Sequence, residues 1–243
     1  SEAQDNDLAE VYAGMQRDAF AMSDRLAALI KVKPGQAGSV AAIDNAFAPL
    51  IANGDVADGL PRQLYQIAKL IAGNATVQGN RQIFFAQLGG FDTHANQIGG
   101  SVLVGNHANL LKEVGDSLAC FHNAMKAMAL ADAVTAFTQS DFGRTFTPNN
   151  SSGTDHAWGN QHLVVGGAVK GGLTYGTYPT LALGGPDDVG VDSWELQGRW
   201  IPTSSVDQYA ATLLAWFGAT DAQLDTVLPN LRNFGSARTL GFL

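Results

Sequence analysis

The sequence predicts an α/β fold, a parallel, mixed-edge sheet flanked by helices, in a single domain over residues 1–243. Three observations predict it. Apolar residues recur at helical spacing in three stretches before residue 75. Between 82 and 145 the chain reads strand, loop, helix, strand, loop, the order of a βαβ unit whose two strands run parallel. No internal repeat or linker-like stretch divides the 243 residues, a length that suits one large domain or two small ones. On this reading residues 1–75 form a mostly helical N-terminal segment, and 80–235 form a core that bears a metal site.

Each element has a local cause. Leu8, Val11, Tyr12, Met15, Phe20, Met22, Leu26, Leu29 and Ile30 predict a helix over 8–30, ended by Pro34-Gly35. A second helix runs from 39 to 51 and is broken by Asn53-Gly54-Asp55. A third covers 60–71, with Pro61 in its first turn and Gly73-Asn74 after its end. These three carry no chemistry on their faces and read as packing helices. Gln82–Leu88 is a short apolar run read as a buried strand, followed by the polar loop Gly89–Gln97. The stripe Leu110, Leu111, Val114, Leu118, Phe121, Met125 and Met128 predicts a long helix over 106–128. Ala133–Thr138 reads as the second strand, with Ser140–Thr145 as the loop beyond it. Residues 146–203 are glycine-rich, and Leu163–Val165 is their candidate strand. Ser204 or Ser205 caps a helix over 206–217 stopped by Gly218, and a short helix over 221–228 precedes Pro229.

Composition excludes several functions. Lys and Arg number 14 against 22 Asp and Glu, a net charge of −8, and the basic residues form no cluster. A nucleic-acid binder needs a basic face, so no nucleic-acid partner is expected. No apolar run reaches the roughly 18 residues of a membrane span. The single cysteine, Cys120, excludes a disulfide framework and reads as a buried, inert thiol inside a helix. The chain opens on Ser1-Glu-Ala-Gln without an initiator methionine or a signal peptide, which reads as a mature or trimmed product.

Ligands of open α/β sheets bind beyond the carboxyl ends of the strands. Three polar clusters fall there or in the next loop: Asp92-Thr-His94, Ser140-Asp141, and Gly153-Thr-Asp-His-Ala-Trp-Gly159. Together they would concentrate Asp92, His94, Asp141, Asp155 and His156. Mixed carboxylates and imidazoles suit a divalent metal, zinc first, with manganese or calcium as alternatives. Such a metal polarises an ester oxygen or activates water. The plainer reading of each cluster is an Asp capping a helix or a His satisfying buried backbone. Arg144, three residues after Asp141, either clamps an anionic group bidentately or pairs with Asp141 or Asp155 to hold the loop. His107 reads as a packing histidine or a substrate-binding group, and Trp158 as a pocket wall or plain packing. An acidic chain also needs a local positive site to attract an anionic ester.

Gly-Gly-Phe-Asp-Thr-His-Ala-Asn-Gln (89–97), His107-Ala-Asn-Leu-Leu, Ser-Asp-Phe-Gly-Arg-Thr (140–145) and Gly-Thr-Asp-His-Ala-Trp-Gly (153–159) resemble domain-of-unknown-function family 1501. Gly166–Gly172, Tyr175-Gly176, Ile201-Pro-Thr203, Asp207-Gln-Tyr209 and Leu228–Leu231 extend the match, which covers residues 60–234. The resemblance implies the alkaline-phosphatase and sulfatase superfamily: metal-dependent hydrolases and transferases of phosphate and sulfate esters on an α/β sheet, many of them exported to the periplasm or beyond. By that analogy Asp92, His94 and the distal His156 are metal ligands, and Asp141 is the Asp of an adjacent Asp-His pair. Two departures stand out. The pair reads Asp141-Phe142 here, which removes one imidazole of a second metal site, and Asp92-x-His94 is more tightly spaced than the superfamily's pair. The superfamily's first strand, with a metal Asp and a nearby Ser or Thr nucleophile, would precede residue 1, so the chain resembles the C-terminal part of the family pattern and lacks the N-terminal portion of the full fold.

Three functions follow as expectations. The first is an exported metal-dependent hydrolase of phosphate or sulfate esters, acting on an anionic small molecule or glycan. Arg144 would hold the anion, with Thr93 as a local substitute nucleophile or metal-activated hydroxide in its place. The second is a non-catalytic secreted or cell-surface protein that keeps the fold; under either reading a second chain or a homo-oligomer is an expected partner. The third is a small-ligand binder resting on Trp158, Tyr178, Trp194 and Trp200.

Overall fold

The computed structural model describes residues 7–77, 80–192 and 194–243. The side chains of residues 7–9, 19, 22, 25, 76 and 77 are outside that description, so the places of Leu8 and Met22 in the predicted stripe, and the opening Ser1–Gln4, lie outside the described residues. The chain divides into two compact units. One is built from the chain up to Leu88 together with Glu113–Leu130, the other from Gly89–Lys112 together with Ala131–Leu243.

The first unit is helical. Helix α1 spans Asp7–Ile30, α2 Ala41–Phe47, α3 Leu60–Ala72 and α4 Asn74–Val77; α5, Asn106–Ala127, gives this unit its residues from Glu113 onward. The predicted second helix is shorter than 39–51: Pro49 turns its end into a 3-10 helix over Ala48–Leu50. Asn53-Gly54, read as a break, is the turn of a small hairpin between β1 (Ile51–Ala52) and β2 (Asp55–Val56), with φ of +53° and +75° at the two turn residues. Ile43, Phe47, Val56, Leu64, Tyr65 and Ala68 form a core with Phe47 edge-on to Tyr65 at 5.4 Å. Lys69, 2% exposed, donates Nζ–H to the carbonyls of Ile30 (2.8 Å) and Val32 (2.7 Å), satisfying orphan acceptors at the end of α1. Cys120 is buried and unpaired as expected, and burial raises its thiol pKa.

Two expectations fail in this unit. Val11, Tyr12, Met15 and Phe20 of α1 are exposed; its packing contacts are with α3 and α4, against which Leu29 lies near Gly73. The side chains of Gln82–Leu88 alternate in exposure, but among the described residues its main chain pairs with no strand. Ile83 is 73% and Phe85 84% exposed, so this is not a buried strand. Instead the Gln63 side-chain amide accepts from Gln87 N–H and donates to its carbonyl, each at 2.8 Å.

The second unit holds β3 (Thr135–Phe137), β4 (Gly143–Arg144), β5 (His156–Ala157) and β6 (Val164–Gly166). The expected parallel sheet is absent among the described residues: β3 pairs antiparallel with β6, and β4 antiparallel with β5. The overall class among the described residues is thus mixed helix and small antiparallel sheets, with no large parallel sheet. The reason is non-local. The 82–88 run supplies the right pattern, but pairing depends on a neighbour that the pattern does not specify.

Helix α6 (Val206–Phe217) starts on a reciprocal cap between Ser205 and Gln208 and stops at Gly218, φ +102°. Helix α7 (Asp221–Val227) is capped the same way by Thr220 and Gln223. Tyr209, Leu213 and Phe242 make one core cluster on α6, and Ala211 makes another with Leu224 and Leu231. No helix among the described residues is long and apolar enough to cross a membrane.

Candidate metal centre

The centre is assembled by a two-residue hairpin and one loop. Antiparallel pairing of β4 and β5 sets Arg144 directly opposite His156, and directly opposed residues share a face. Gly143 has to be a glycine, because a Cβ there would sit on the Gly159 carbonyl. Asn160 Nδ2–H to the Phe142 carbonyl (3.1 Å) and Arg199 Nε–H to the His156 carbonyl (3.3 Å) hold the hairpin from outside.

The loop that carries Asp92 and His94 is laced to the loop that precedes His156. Asn96 N–H donates to Ser151 O (3.1 Å), Gln97 N–H to Ser152 O (2.9 Å) and Thr154 N–H to Thr93 O (3.1 Å). Asn149 Nδ2–H donates to His94 O at 2.9 Å. Buried Gly153 lies directly against the His94 main chain, with no room for a side chain.

Three nitrogens converge on one oxygen, Asp92 Oδ1. His156 Nε2 is 3.0 Å from it, His94 Nδ1 3.1 Å, and Arg144 Nη1–H donates to it. The His94 and His156 rings lie 4.7 Å apart, and Phe142 packs on His156 at 4.2 Å. Burial raises the Asp92 pKa, but hydrogen bonds from His156 and Arg144, with the neighbouring imidazole charges, outweigh it and hold the carboxyl below its ordinary value. The candidate ligand atoms of Asp92, His94 and His156 all lie within 4.8 Å of one another. One carboxylate and two imidazole nitrogens at that spacing could hold a metal ion. The site faces solvent, and Asp92 is 55% exposed.

Arg144 is held on its other edge. Its Nε–H donates to Thr154 Oγ1 (3.0 Å) and its Nη2–H to the Thr154 carbonyl, leaving the side chain 15% exposed. Its partners are therefore Asp92 and Thr154, and neither Asp141 nor Asp155. Gln97 Oε1 accepts from both the Thr154 hydroxyl (2.6 Å) and the Thr93 hydroxyl (2.8 Å).

The other expected site residues stand apart. Thr93 is buried with its hydroxyl committed to Gln97, which leaves it turned from the cluster. Asp155 accepts from Asn149 Nδ2–H at 3.0 Å, and Asp141 is exposed; neither belongs to the ligand group among the described residues. Trp158 is exposed just past β5. His107 is half-buried, edge-on to Phe91 at 6.1 Å, with its Nδ1 buried and unpartnered. Gln97, Thr154 and Asn149 were missed as supports. The first two lie inside the quoted motifs, and a polar residue flanking a candidate ligand is the signal that marks them.

A family model described as "Protein of unknown function (DUF1501)" matches residues 6–191. The chain belongs to this family. The match spans the three candidate ligand residues and Arg144 of this DUF1501 chain, and it runs from the start of α1 to residue 191 where the motifs alone placed it over 60–234. No curated protein and no solved structure matches the chain.

Proposed function

We propose that this DUF1501 chain is an exported, metal-dependent hydrolase of phosphate or sulfate esters, in the lineage of the alkaline phosphatases and sulfatases. The observation that carries the reading is the convergence of Asp92, His94 and His156 beside the Arg144 guanidinium. Asp92, His94 and His156 would hold the ion, zinc or manganese, which supplies Lewis acidity toward an ester oxygen. Phe142 packs on the His156 ring and restricts its plane. Arg144 supplies the fixed positive charge that an acidic chain needs to attract an anionic ester. With the Thr93 hydroxyl committed to Gln97, water is the nucleophile: its oxygen bonds to phosphorus or sulfur as the alcohol oxygen leaves with a proton. The solvent-facing ligands suit a bulky ester, such as a phosphorylated or sulfated glycan, as well as a small one. Export rests on the resemblance of the motifs to exported family members.

Elemental mass spectrometry of the never-chelated protein tests the reading. About one zinc or manganese per chain is expected, lost in an Asp92→Ala/His156→Ala variant, together with turnover of p-nitrophenyl phosphate or sulfate that follows the metal. A folded protein with no stoichiometric metal would overturn it and favour a non-catalytic relative.

A further inference from the structure

Asp92 Oδ1 receives more donors than a metal ligand can keep. A carboxylate oxygen that coordinates a cation gives up the lone pair that faces it, yet here that oxygen also accepts from Arg144 Nη1–H and lies within 3.1 Å of both imidazole nitrogens. A guanidinium one hydrogen bond away from the same oxygen also repels a divalent cation. The other two arms of Arg144 have no such conflict. Nε and Nη2 are held by Thr154, whose hydroxyl is fixed by Gln97.

We infer that Arg144 and the metal compete for Asp92 Oδ1, so that metal loading frees the Nη1 arm of an otherwise anchored guanidinium to bind the oxyanion of the ester. Arg144 is then the specificity-determining residue for a tetrahedral oxyanion, and it is available only in the loaded site. The empty site is closed to anions by its own Asp92–Arg144 pair. Because Thr154 keeps two nitrogens in place, the freed arm moves little and stays beside the ion. The inference rests on the metal reading above.

By linkage, a group that competes with the metal lowers its affinity, and removing that group raises it. A merely supporting arginine has the opposite sign, because its loss would slacken Asp92. The experiment is calorimetric titration of zinc into chelator-stripped wild type, Arg144→Met and Asp92→Ala, followed by inorganic phosphate into each with and without zinc. Arg144→Met is expected to bind zinc at least tenfold more tightly than wild type. Phosphate is expected to bind zinc-loaded wild type, to be undetectable without zinc, and to weaken at least tenfold in zinc-loaded Arg144→Met.

Should Arg144→Met fail to fold, the wild-type arginine side-chain nitrogen resonances replace it. Zinc should shift the Nη signals of Arg144 while its Nε–H stays protected. Zinc binding that is unchanged or weaker in Arg144→Met, or undisturbed Nη signals, overturns the competition and leaves the metal site standing. Wild type that takes up no metal, with an Arg144→Met variant that takes up none either, overturns the metal reading and the inference together.

Discussion

Gly153→Ala tests how the centre is built. Gly153 is buried, and the new methyl would fall on the carbonyl carbon and oxygen of His94 and close to Ala95 N. These are backbone atoms, which cannot turn aside as a flexible side chain can. The two loops must therefore separate, and five hydrogen bonds join them: Asn96 to Ser151, Gln97 to Ser152, Thr154 to Thr93, Asn149 to His94 and the Thr154 hydroxyl to Gln97. Each contributes about 1 kcal/mol net. If two are lost and overpacking adds about 1 kcal/mol, the cost is about 3 kcal/mol. His94 moves with its loop while His156 stays with its hairpin, so the three-ligand set opens. Urea unfolding followed by circular dichroism should show the loss, and zinc titration of the folded variant should show at least a tenfold weaker site. Gly115→Ala is the control: it lies in α5 with open space around its Cβ position and should stabilise by about 0.5–1 kcal/mol. A Gly153→Ala protein within about 0.5 kcal/mol of wild type, with unaltered zinc affinity, would refute the loop-to-loop account.

Other predictions concern single supports. Burial, with the Arg144 charge second, holds the His107 pKa below the ordinary 6.5, so the neutral ring is the folded form. Its stabilisation is full above pH 6.5 and is lost as pH falls through 6.5 toward the lower folded value. Wild type should therefore lose stability relative to His107→Leu from pH 7.5 to 5.5, and a pH-independent difference would refute it. Lys69→Met leaves the carbonyls of Ile30 and Val32 without their donor and should cost about 2–4 kcal/mol, with faster amide exchange in the last turn of α1. Ser205→Ala removes the oxygen that accepts from Gln208 N–H and should cost about 1 kcal/mol in urea unfolding.

What could be read from sequence was local. Pro61, Ser205, Gln208 and Gly218 act within a turn or two of their own positions, and the helices they bound form as expected. That Asp92, His94 and His156 come together was legible because their residue types and motif positions single them out as one polar cluster. The partner of Arg144 was not, because β4 and β5 are two residues each and leave no period-two pattern. Only their register brings Arg144 opposite His156. For Gln82–Leu88 the failure runs the other way: a short apolar run announces a strand, but a ladder takes two strands, and local pattern does not supply the second. The apolar positions of α1 likewise predict a buried face without saying what would bury it.

The unpaired run at 82–88 has a practical consequence. It carries no charge, no proline and no glycine, and it presents Ile83 and Phe85 to water beside main-chain groups that lack a ladder. Those are the properties of a cross-β seed. With Gln87 held by Gln63, the stretch open to a second copy is Gln82–Ala86, and a charge placed at Ile83 or Phe85 is expected to raise the concentration at which the protein stays in solution.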